Sequence, residues 1–257
     1  MPTACEPLLE VRGLAFAYGG RKAVDGLSFA VLRGECFGFL GPNGAGKTTA
    51  LSCLIGLLGG WTGEILLGGA PVRPASDAAV RARFGHVPQE IALYADLTGR
   101  ENLEFFGKLS GVAPALLAAA VERALATAGL KERARDRVGA YSGGMKRRLN
   151  LAVALLHDPE ILLLDEPTAG MDPQSRNHLF EALAALKAAG RTLIYTTHYI
   201  EEAERLCDRV LIINEGRAVA VGTRAELAAA SGDPAANLEQ VFLTLTGRAL
   251  RDGAEAA

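Results

Sequence analysis

The stretch Gly41-Pro42-Asn43-Gly44-Ala45-Gly46-Lys47-Thr48-Thr49 determines the fold expected for this chain. It matches the phosphate-binding pattern G-x-x-x-x-G-K-[ST] at every fixed position. Glycines let backbone N–H groups converge on an anion, and the N-terminus of a following helix adds the positive end of its dipole. In such a loop Lys47 can reach the β and γ phosphates, and the Thr48 hydroxyl can ligate Mg²⁺. The stretch therefore predicts ATP or GTP binding.

The residues on either side of this loop fit the same interpretation. The apolar run Cys36–Leu40 predicts a buried strand before the loop, and residues 49–58 predict a helix after it. The alternative is an ordinary glycine-rich turn before a helix. That alternative does not require every fixed position of the motif, so the strand-loop-helix context favours phosphate binding.

Length and composition indicate one large or two small globular domains. The chain has 257 residues, 49% of them hydrophobic, and a net charge of −2. This charge argues against a nucleic-acid binder that works by neutralising phosphates. The four cysteines show no C-x-x-C pair, which suits a reducing cytosol. We find no signal-peptide pattern and no apolar run near the roughly 18 residues that span a bilayer, so any membrane span is expected in another chain.

Two periodicities of apolar residues predict the fold class. Alternating stretches within residues 8–31 and a hairpin at residues 64–72 predict antiparallel strands near the N-terminus. Apolar runs predict further strands at residues 84–89, 161–164, 192–197 and 210–213, the last with a hairpin partner at 218–221, and helices at 174–189 and 200–207. The predicted fold is α/β: a P-loop NTPase core with a mainly parallel central sheet, an antiparallel β subdomain near the N-terminus and an inserted all-helical subdomain.

The helical subdomain is predicted over about residues 97–157. Thr98 and Glu101 form a capping-box pattern, Pro114 begins a second helix that Gly129 ends, and a third helix is expected from just after Ser142 to about residue 157.

The expected domain organisation is one ATPase domain with a short extension. We expect the ATPase domain over residues 1–232, with the helical insertion inside it, and a C-terminal extension over residues 233–257. The extension carries one amphipathic segment, residues 238–245, and its end after Arg251 is expected to be frayed. The chain shows no internal repeat, so we expect one nucleotide unit.

Adjacent carboxylates follow the apolar run at residues 161–164. At a nucleotide site Asp165 could hold Mg²⁺ through water, and Glu166 could orient or deprotonate an attacking water. The alternative is an acidic pair at a strand end that faces solvent or a helix N-terminus.

Three further polar positions are candidates for the same site. The run Tyr141-Ser142-Gly143-Gly144-Met145 begins a helix and could form a second anion site, or it could be a well-capped helix start. His198 follows a strand and could meet a γ-phosphate, or it could be a structural hydrogen-bonding group. Gln89 ends a strand just before the helical insertion, where a turn residue is the alternative.

In this order the residues resemble the nucleotide-binding domain of an ABC transporter. The ordered set is Tyr18, the phosphate loop, Gln89, the signature at 141–145, Asp165 with Glu166, the turn Ala169-Gly170-Met171-Asp172, and His198. The resemblance covers residues 8–223, and the ordered combination is highly specific. It favours the functional role over the structural alternative for Ser142, Glu166 and His198.

The resemblance implies that two such domains meet head to tail and trap two ATP molecules. Each ATP would rest on the phosphate loop of one chain, residues 41–49, while Ser142 and Gly144, with Gly143 between them, approach its γ-phosphate from the other chain. The residues agree with this arrangement, since the helix N-terminus after Ser142 has a phosphate only if a second chain supplies it.

The remaining roles are likewise implied by the resemblance. Gln89 would approach Mg²⁺ and the attacking water, and its loop would sense the membrane partner. Thr48 and Asp165 would bind Mg²⁺, Tyr18 would stack on adenine, Glu166 would be the general base, His198 would hold the γ-phosphate and the water, and Asp172 would help to join the two subunits.

The signature departs from the commonest family pattern, because Tyr141 replaces Leu and Met145 replaces Gln. The longer run at residues 141–149 is similar to one branch of the family. So are the runs at residues 168–176, 197–204 and 238–243. That branch supplies the ATPase subunits of drug, polysaccharide and lipid exporters with separate permease chains.

The sequence therefore predicts an ATP-hydrolysing subunit that powers export through a separate integral-membrane permease. Its expected partners are a second copy of itself or a homologous subunit, and the permease, which would hold it peripherally on the cytoplasmic face of the membrane. No nucleic-acid partner is expected. The alternatives are a soluble ABC ATPase that acts on nucleic acid or ribosomes, and an importer subunit. The first is disfavoured by the single nucleotide unit and the charge, and the second by the exporter-like C-terminal run.

Overall fold

The structure of the protein, a computed structural model, describes residues 6–247. These residues form two compact units. The first unit combines the chain up to Arg81 with the chain from Thr192, and the second runs from Ala82 to Arg191. No helix within residues 6–247 is long and apolar enough to cross a membrane.

Ten strands and nine α-helices are defined over the described residues. The strands are β1 Pro7–Tyr18, β2 Arg21–Leu32, β3 Cys36–Leu40, β4 Thr62–Leu67, β5 Ala70–Pro71, β6 Phe84–Val87, β7 Ile161–Asp165, β8 Thr192–Thr197, β9 Arg209–Asn214 and β10 Arg217–Gly222. The helices are α1 Lys47–Leu54, α2 Ala78–Arg81, α3 Gly99–Leu109, α4 Pro114–Thr127, α5 Gly143–Ala154, α6 Pro173–Ala188, α7 Ile200–Leu206, α8 Arg224–Ala230 and α9 Leu238–Thr246.

An antiparallel sheet lies in the first unit, as predicted. Its strand order is β2-β1-β4-β5, and β1 pairs with both β2 and β4. β1 and β2 are joined by Gly19 and Gly20, which both have positive φ and so allow a tight connection. The predicted hairpin of β4 and β5 is confirmed.

Parallel pairing organises the rest of the first unit. β3 lies between β8 and β9 and is parallel to both, while β10 is antiparallel to β9. Every residue of β3 and β8 is buried, as a central parallel strand requires. Leu40 lies opposite Thr197, so β3 and β8 end side by side and the chain leaves both at the same edge.

The C-terminal helix joins the apolar core of the first unit. Leu238, Val241 and Phe242 of α9 belong to one buried cluster with Leu40 and Ile212, which come from β3 and β9. The predicted amphipathic segment is therefore a packed helix. The predicted frayed end after Arg251 lies outside the described residues.

Two short helices of the first unit, α2 and α8, were missed by the sequence analysis, and α8 had a recognisable signal. Thr223 caps it with a reciprocal pair of hydrogen bonds to Glu226, and the Thr-x-x-Glu spacing could have revealed it. The helix spans only seven residues, most of them alanine, and so lacks the apolar periodicity that identifies a longer helix in a sequence.

Two predicted helices had limits that were wrong by a few residues, α1 at both ends and α5 at its C-terminal end. The helix placed at residues 49–58 is α1, which begins at Lys47 and ends at Leu54, because Gly56 adopts a left-handed φ of 75° just after it. The helix placed from Ser142 to about residue 157 is α5, which ends at Ala154.

The second unit contains the parallel pair β6 and β7 and a cluster of helices. β6 pairs with β7 from Phe84 opposite Ile161 to Val87 opposite Leu164. The helices α3, α4 and α5 share one buried apolar cluster, to which Tyr141 also belongs. The capping box of Thr98 and Glu101 at the start of α3 is present as predicted.

Tyr141 has a clear structural role in this helical cluster. Its side chain is buried, and its hydroxyl donates a hydrogen bond of 2.6 Å to the Arg133 carbonyl oxygen. A Cβ atom at Gly99 would lie 2.3 Å from the Tyr141 hydroxyl oxygen. Gly99, the first residue of α3, therefore leaves the space that the tyrosine ring occupies.

We expect Gly99→Ala and Tyr141→Phe to be coupled in stability. Gly99→Ala should lower the free energy of unfolding by about 1–3 kcal/mol through overpacking. Tyr141→Phe should lower it by about 1 kcal/mol through the lost hydrogen bond. The double variant should lose less free energy of unfolding than the sum of the two single losses, because Phe removes the clashing oxygen.

Urea unfolding followed by circular dichroism measures all four proteins of this cycle. Tyr94→Phe is a suitable control, since the Tyr94 side chain is 50% exposed. Additive losses would contradict the contact between Gly99 and Tyr141.

Candidate functional site

The fixed glycines of the phosphate loop are required by close backbone packing. A Cβ atom at Gly41 would lie 2.2 Å from the Ile213 carbonyl oxygen, and one at Gly46 would lie 2.4 Å from that of Ala23. Gly46 also has a φ of 101°, where other residues are strained. The loop therefore needs glycine at both positions to lie against its neighbours in the first unit.

Hydrogen bonds hold the centre of the loop. The Ala45 N–H donates to the Pro42 carbonyl at 3.2 Å, and the Ala45 carbonyl accepts from the Gly216 N–H at 2.9 Å. Gly44 has open space around it but a φ of 80°, so its backbone conformation alone favours glycine. Asn43, at the outer side of the loop, is exposed.

Lys47 lies against the loop that precedes it. Its side chain is buried, and Nζ donates to the carbonyl oxygens of Gly41 at 2.7 Å and Pro42 at 3.0 Å. Thr48 is exposed and Thr49 half-buried in the first turn of α1, whose N-terminal N–H groups follow the loop directly. A buried ammonium, a threonine hydroxyl and a helix N-terminus together suit a phosphate group with its cation.

Two further predicted site residues of the first unit, Tyr18 and His198, come before and after the phosphate loop in the sequence. Tyr18 ends β1, is 53% exposed and lies in a T-shaped arrangement with Phe16, with ring centroids 4.8 Å apart, so about half of its surface is accessible to a ligand. His198 follows β8, and its ring centroid lies 4.0 Å from that of Tyr199.

A buried carboxylate, missed by the sequence analysis, supports the segment that carries His198. Glu202 on α7 is buried and accepts hydrogen bonds from the hydroxyls of Tyr195 at 2.9 Å and Thr197 at 2.7 Å. The Thr197 hydroxyl also accepts from the Tyr199 N–H at 2.9 Å. These bonds fix the chain on both sides of His198.

The paired carboxylates lie in the second unit, at the end of β7. Asp165 and Glu166 are 2% and 8% exposed, which excludes the alternative of a solvent-facing pair. Glu166 has a φ of 43°, a left-handed conformation that is costly for a long side chain. Such local strain is typical of functional positions, and no sequence pattern indicates it here.

A histidine beside these carboxylates was also missed. His86 lies on β6, opposite Leu163 of β7. Burial lowers its pKa, and the Asp165 carboxylate partly opposes that shift. A partly buried imidazole near Asp165 therefore favours the neutral form, and only the pairing of β6 with β7 reveals it.

The signature residues Ser142, Gly143 and Gly144 begin α5. Ser142 caps the helix by accepting a hydrogen bond of 3.2 Å from the Met145 N–H, so the capped-helix alternative is present alongside any anion site. A Cβ atom at Gly144 would lie 2.1 Å from the Ser175 hydroxyl of α6, whereas one at Gly143 would meet nothing within 4 Å. Gly144 is therefore required by helix packing and Gly143 is not.

Asp172 and Gln89 complete the predicted set in the second unit. Asp172 caps α6 by accepting from the Ser175 N–H at 2.9 Å, and the hydrogen bonds from Ser175 lower the pKa of its carboxyl. Gln89 is exposed just after β6, and its carbonyl oxygen accepts a hydrogen bond from Arg147 of α5. The structure thus brings the Gln89 segment next to the signature helix, a contact that the sequence did not predict.

The predicted site residues divide between the two units. The first unit holds Tyr18, the phosphate loop and His198, and the second holds Gln89, Ser142, Gly143, Gly144, Asp165, Glu166 and Asp172. Within the first unit, the phosphate loop and His198 follow strands that end side by side.

Comparisons with a family profile and with individual sequences agree with each other. A profile of the family described as ABC transporter matches residues 24–169. The linearmycin resistance ATP-binding protein LnrL of Bacillus subtilis is 46% identical over 225 residues, which cover 88% of this chain and 72% of LnrL. The Nod factor export ATP-binding protein I of Paraburkholderia xenovorans is 49% identical over 224 residues, which cover 87% of this chain and 73% of that protein.

Solved structures give the same family. The ATP-binding subunit of an ABC transporter matches with a TM-score of 0.82 at 32% identity, covering 93% of this chain and 99% of its own. CbiO1 from Clostridium perfringens, part of the ABC transporter complex cbiONQ, matches with a TM-score of 0.79 at 29% identity, covering 87% of this chain and 91% of its own.

Alanine at the two signature glycines separates packing from ligand contact. Gly144→Ala should lower the free energy of unfolding by about 1–3 kcal/mol, because its Cβ meets Ser175. Gly143→Ala should leave stability unchanged or raise it by about 0.5–1 kcal/mol, because alanine is the better helix residue. If Gly143 faces a phosphate, the stable Gly143→Ala protein should still lose ATP turnover.

Thermal unfolding and phosphate release, measured on the same preparations, check both effects. Full turnover in a stable Gly143→Ala protein would remove Gly143 from the nucleotide site.

Proposed function

Because the chain belongs to the ABC transporter family, we propose that it is the ATP-binding and hydrolysing subunit that powers export through a separate integral-membrane permease. Two relatives that it resembles over most of its length bear names that refer to Nod factor export and linearmycin resistance. The observation that carries the hydrolase assignment is the buried pair Asp165 and Glu166, with Glu166 held in a left-handed backbone conformation.

ATP binding is assigned to the phosphate loop and its neighbours. The backbone N–H groups at the start of α1 and the Lys47 ammonium bind the phosphates, and the exposed Tyr18 ring stacks on the adenine. The Thr48 hydroxyl, the Asp165 carboxylate and the Gln89 amide are oxygen donors of the kind Mg²⁺ prefers. When bound, Mg²⁺ neutralises charge on the β and γ phosphates.

Hydrolysis is assigned to Glu166 and His198. The Glu166 carboxylate accepts a proton from the attacking water as the new bond to the γ-phosphorus forms and the bond to the β–γ bridging oxygen breaks. His198 donates a hydrogen bond to a γ-phosphate oxygen and so positions the transferred group. The buried Glu202 supports this role, because its hydrogen bonds fix the segment around His198.

We assign to the signature a contact with the ATP that is bound to a second copy of the chain or to a homologous subunit. α5 is a 12-residue helix whose N-terminus begins with a serine and two glycines, and the open space around Gly143 leaves room for a phosphate there. Asp172, exposed at the start of α6, would lie at the same subunit interface.

We assign the contact with the permease to an aromatic cluster formed by Tyr94, Phe105 and Phe106. The Tyr94 ring lies 5.0 Å from Phe105 and 5.9 Å from Phe106, and Tyr94 and Phe105 are 50% and 41% exposed. The buried Asn102 side chain holds Tyr94 by hydrogen bonds of 2.9 and 3.0 Å to its backbone N–H and carbonyl. An exposed aromatic surface of this kind, whose Tyr94 follows Gln89 by five residues, suits an apolar helix of a permease at the cytoplasmic membrane face.

Replacing the proposed base tests the hydrolase assignment. Glu166→Gln should keep ATP binding but lower the rate of phosphate release by about 100-fold or more, since glutamine cannot accept the proton. The variant should accumulate as an ATP-bound dimer, seen by size-exclusion chromatography with light scattering.

Lys47→Ala is the matched control for that experiment, because it should lose tight nucleotide binding and form no such dimer. Wild-type turnover in Glu166→Gln would remove Glu166 as the base, and unchanged nucleotide affinity in Lys47→Ala would contradict the phosphate loop.

An affinity pull-down from detergent-solubilised membranes tests the permease assignment. Tagged protein should recover a polytopic membrane chain, and the double variant Tyr94→Ser/Phe105→Ser should recover about tenfold less of it. Val221→Ser is the control, since Val221 is an apolar residue of comparable exposure in the first unit. Recovery of ribosomal proteins instead of a membrane chain would support the non-transport alternative.

A further inference from the structure

One face of α5 holds the backbone of the Gln89 segment. Arg147 donates from Nη1 to the Gln89 carbonyl oxygen, and Asn150 donates from Nδ2 to the Glu90 carbonyl oxygen at 3.4 Å. Residues three apart on a helix point to the same side, so both contacts come from one face. The signature helix α5 therefore holds the Gln89 segment by hydrogen bonds that begin one turn after its N-terminal glycines.

The same guanidinium also reaches the turn that follows Glu166. Arg147 donates from Nη2 to the Ala169 carbonyl oxygen at 3.2 Å. Gln89 and Ala169 are 58 and 22 residues from Arg147 in sequence, so one side chain joins three separate segments of the second unit. The planar fork of an arginine suits two acceptors at once, which a single ammonium satisfies less well.

The charge of Arg147 supports a positioning role. Within residues 6–247 its guanidinium bonds to carbonyl oxygens of two loops, and partial burial lowers its pKa. A half-buried cation loses part of its hydration, so its N–H groups need acceptors within the protein. The two carbonyl oxygens supply them, and the guanidinium is therefore tied to the positions of both loops.

The next residue provides a contrast on the same helix. Arg148 donates to the carbonyl oxygens of Ala128 and Gly129 at 2.8 and 3.2 Å, at the end of α4. Its contacts lie within the helical cluster, away from the Gln89 segment and the turn at residues 169–172. The two adjacent arginines thus donate to the same kind of acceptor, a backbone carbonyl oxygen, but they hold different segments of the chain.

We propose that Arg147 is a positioning residue that makes the Gln89 segment, the turn at residues 169–172 and the signature helix move as one body. The proposal rests on the proposed function, in which the aromatic cluster that follows the Gln89 segment contacts the permease, and the signature and Asp172 face the second ATPase subunit. Arg147 then transmits the position of the Gln89 segment to both elements at the subunit interface.

Kinetics of the isolated protein give the first test. Arg147→Met keeps the length of the side chain but removes both hydrogen bonds. It should lower kcat for ATP hydrolysis by about 10- to 100-fold through misplaced loops while KM for ATP changes by less than about twofold. Arg147→Lys should recover part of kcat, and Arg148→Met should keep wild-type kcat.

Hydrogen exchange measured by mass spectrometry identifies the segments that Arg147 holds. Arg147→Met should raise exchange in both residues 89–92 and residues 168–172. Asn150→Leu should raise it only in residues 89–92, and Arg148→Met only in residues 128–131. This pattern separates coupling of two loops from general loosening, which would raise exchange throughout the helical cluster.

Failure of this proposal is distinguishable from failure of the proposed function. If Lys47→Ala and Glu166→Gln behave as expected but Arg147→Met keeps both kcat and the exchange pattern of the wild type, Arg147 has no positioning role. Exchange that rises in only one of the two segments would also overturn it. If Glu166→Gln retains full turnover, the ATPase assignment itself fails.

Discussion

The parallel pairing of β3 with β8 and β9 is the constraint on which the phosphate site depends. It ends β3 beside β8, so the phosphate loop and His198 leave the same edge. The loop then lies so close to the Ile213 and Ala23 carbonyl oxygens that only glycine fits at positions 41 and 46. Packing in the first unit thus requires the glycines of the motif, independently of their proposed approach to a phosphate.

In the second unit, α5 has a comparable organising role. Its N-terminus carries the signature glycines, and its next turn holds the backbone of the Gln89 segment and of the turn after Glu166. Tyr141, just before the helix, fills the space left by Gly99 in the helical cluster. A helix that both anchors the cluster and contacts these two loops, to which we assign functional roles, is suited to transmit movement between them.

Several motif residues have a structural and a functional explanation at once. Asp172 is a helix cap, Ser142 is another, and Gly144 makes room for Ser175. Gly143 differs from these, because nothing in the fold requires it to be small. Positions of this second kind are the more informative about ligands, since packing gives no other reason for their residue type.

The sequence alone determined most of the fold, because apolar periodicity and caps are local signals that specify strands and helices. The ordered motifs also sufficed for the family, since they are short and contiguous. Only the tertiary structure placed Glu202 behind His198, bent the chain at Glu166 into a left-handed conformation, and joined Gln89 to Ala169 through Arg147. The Arg147 contacts join residues 58 and 22 positions apart, which no local pattern encodes. The Glu202 contacts are shorter in sequence, but they depend on how α7 packs against the end of β8.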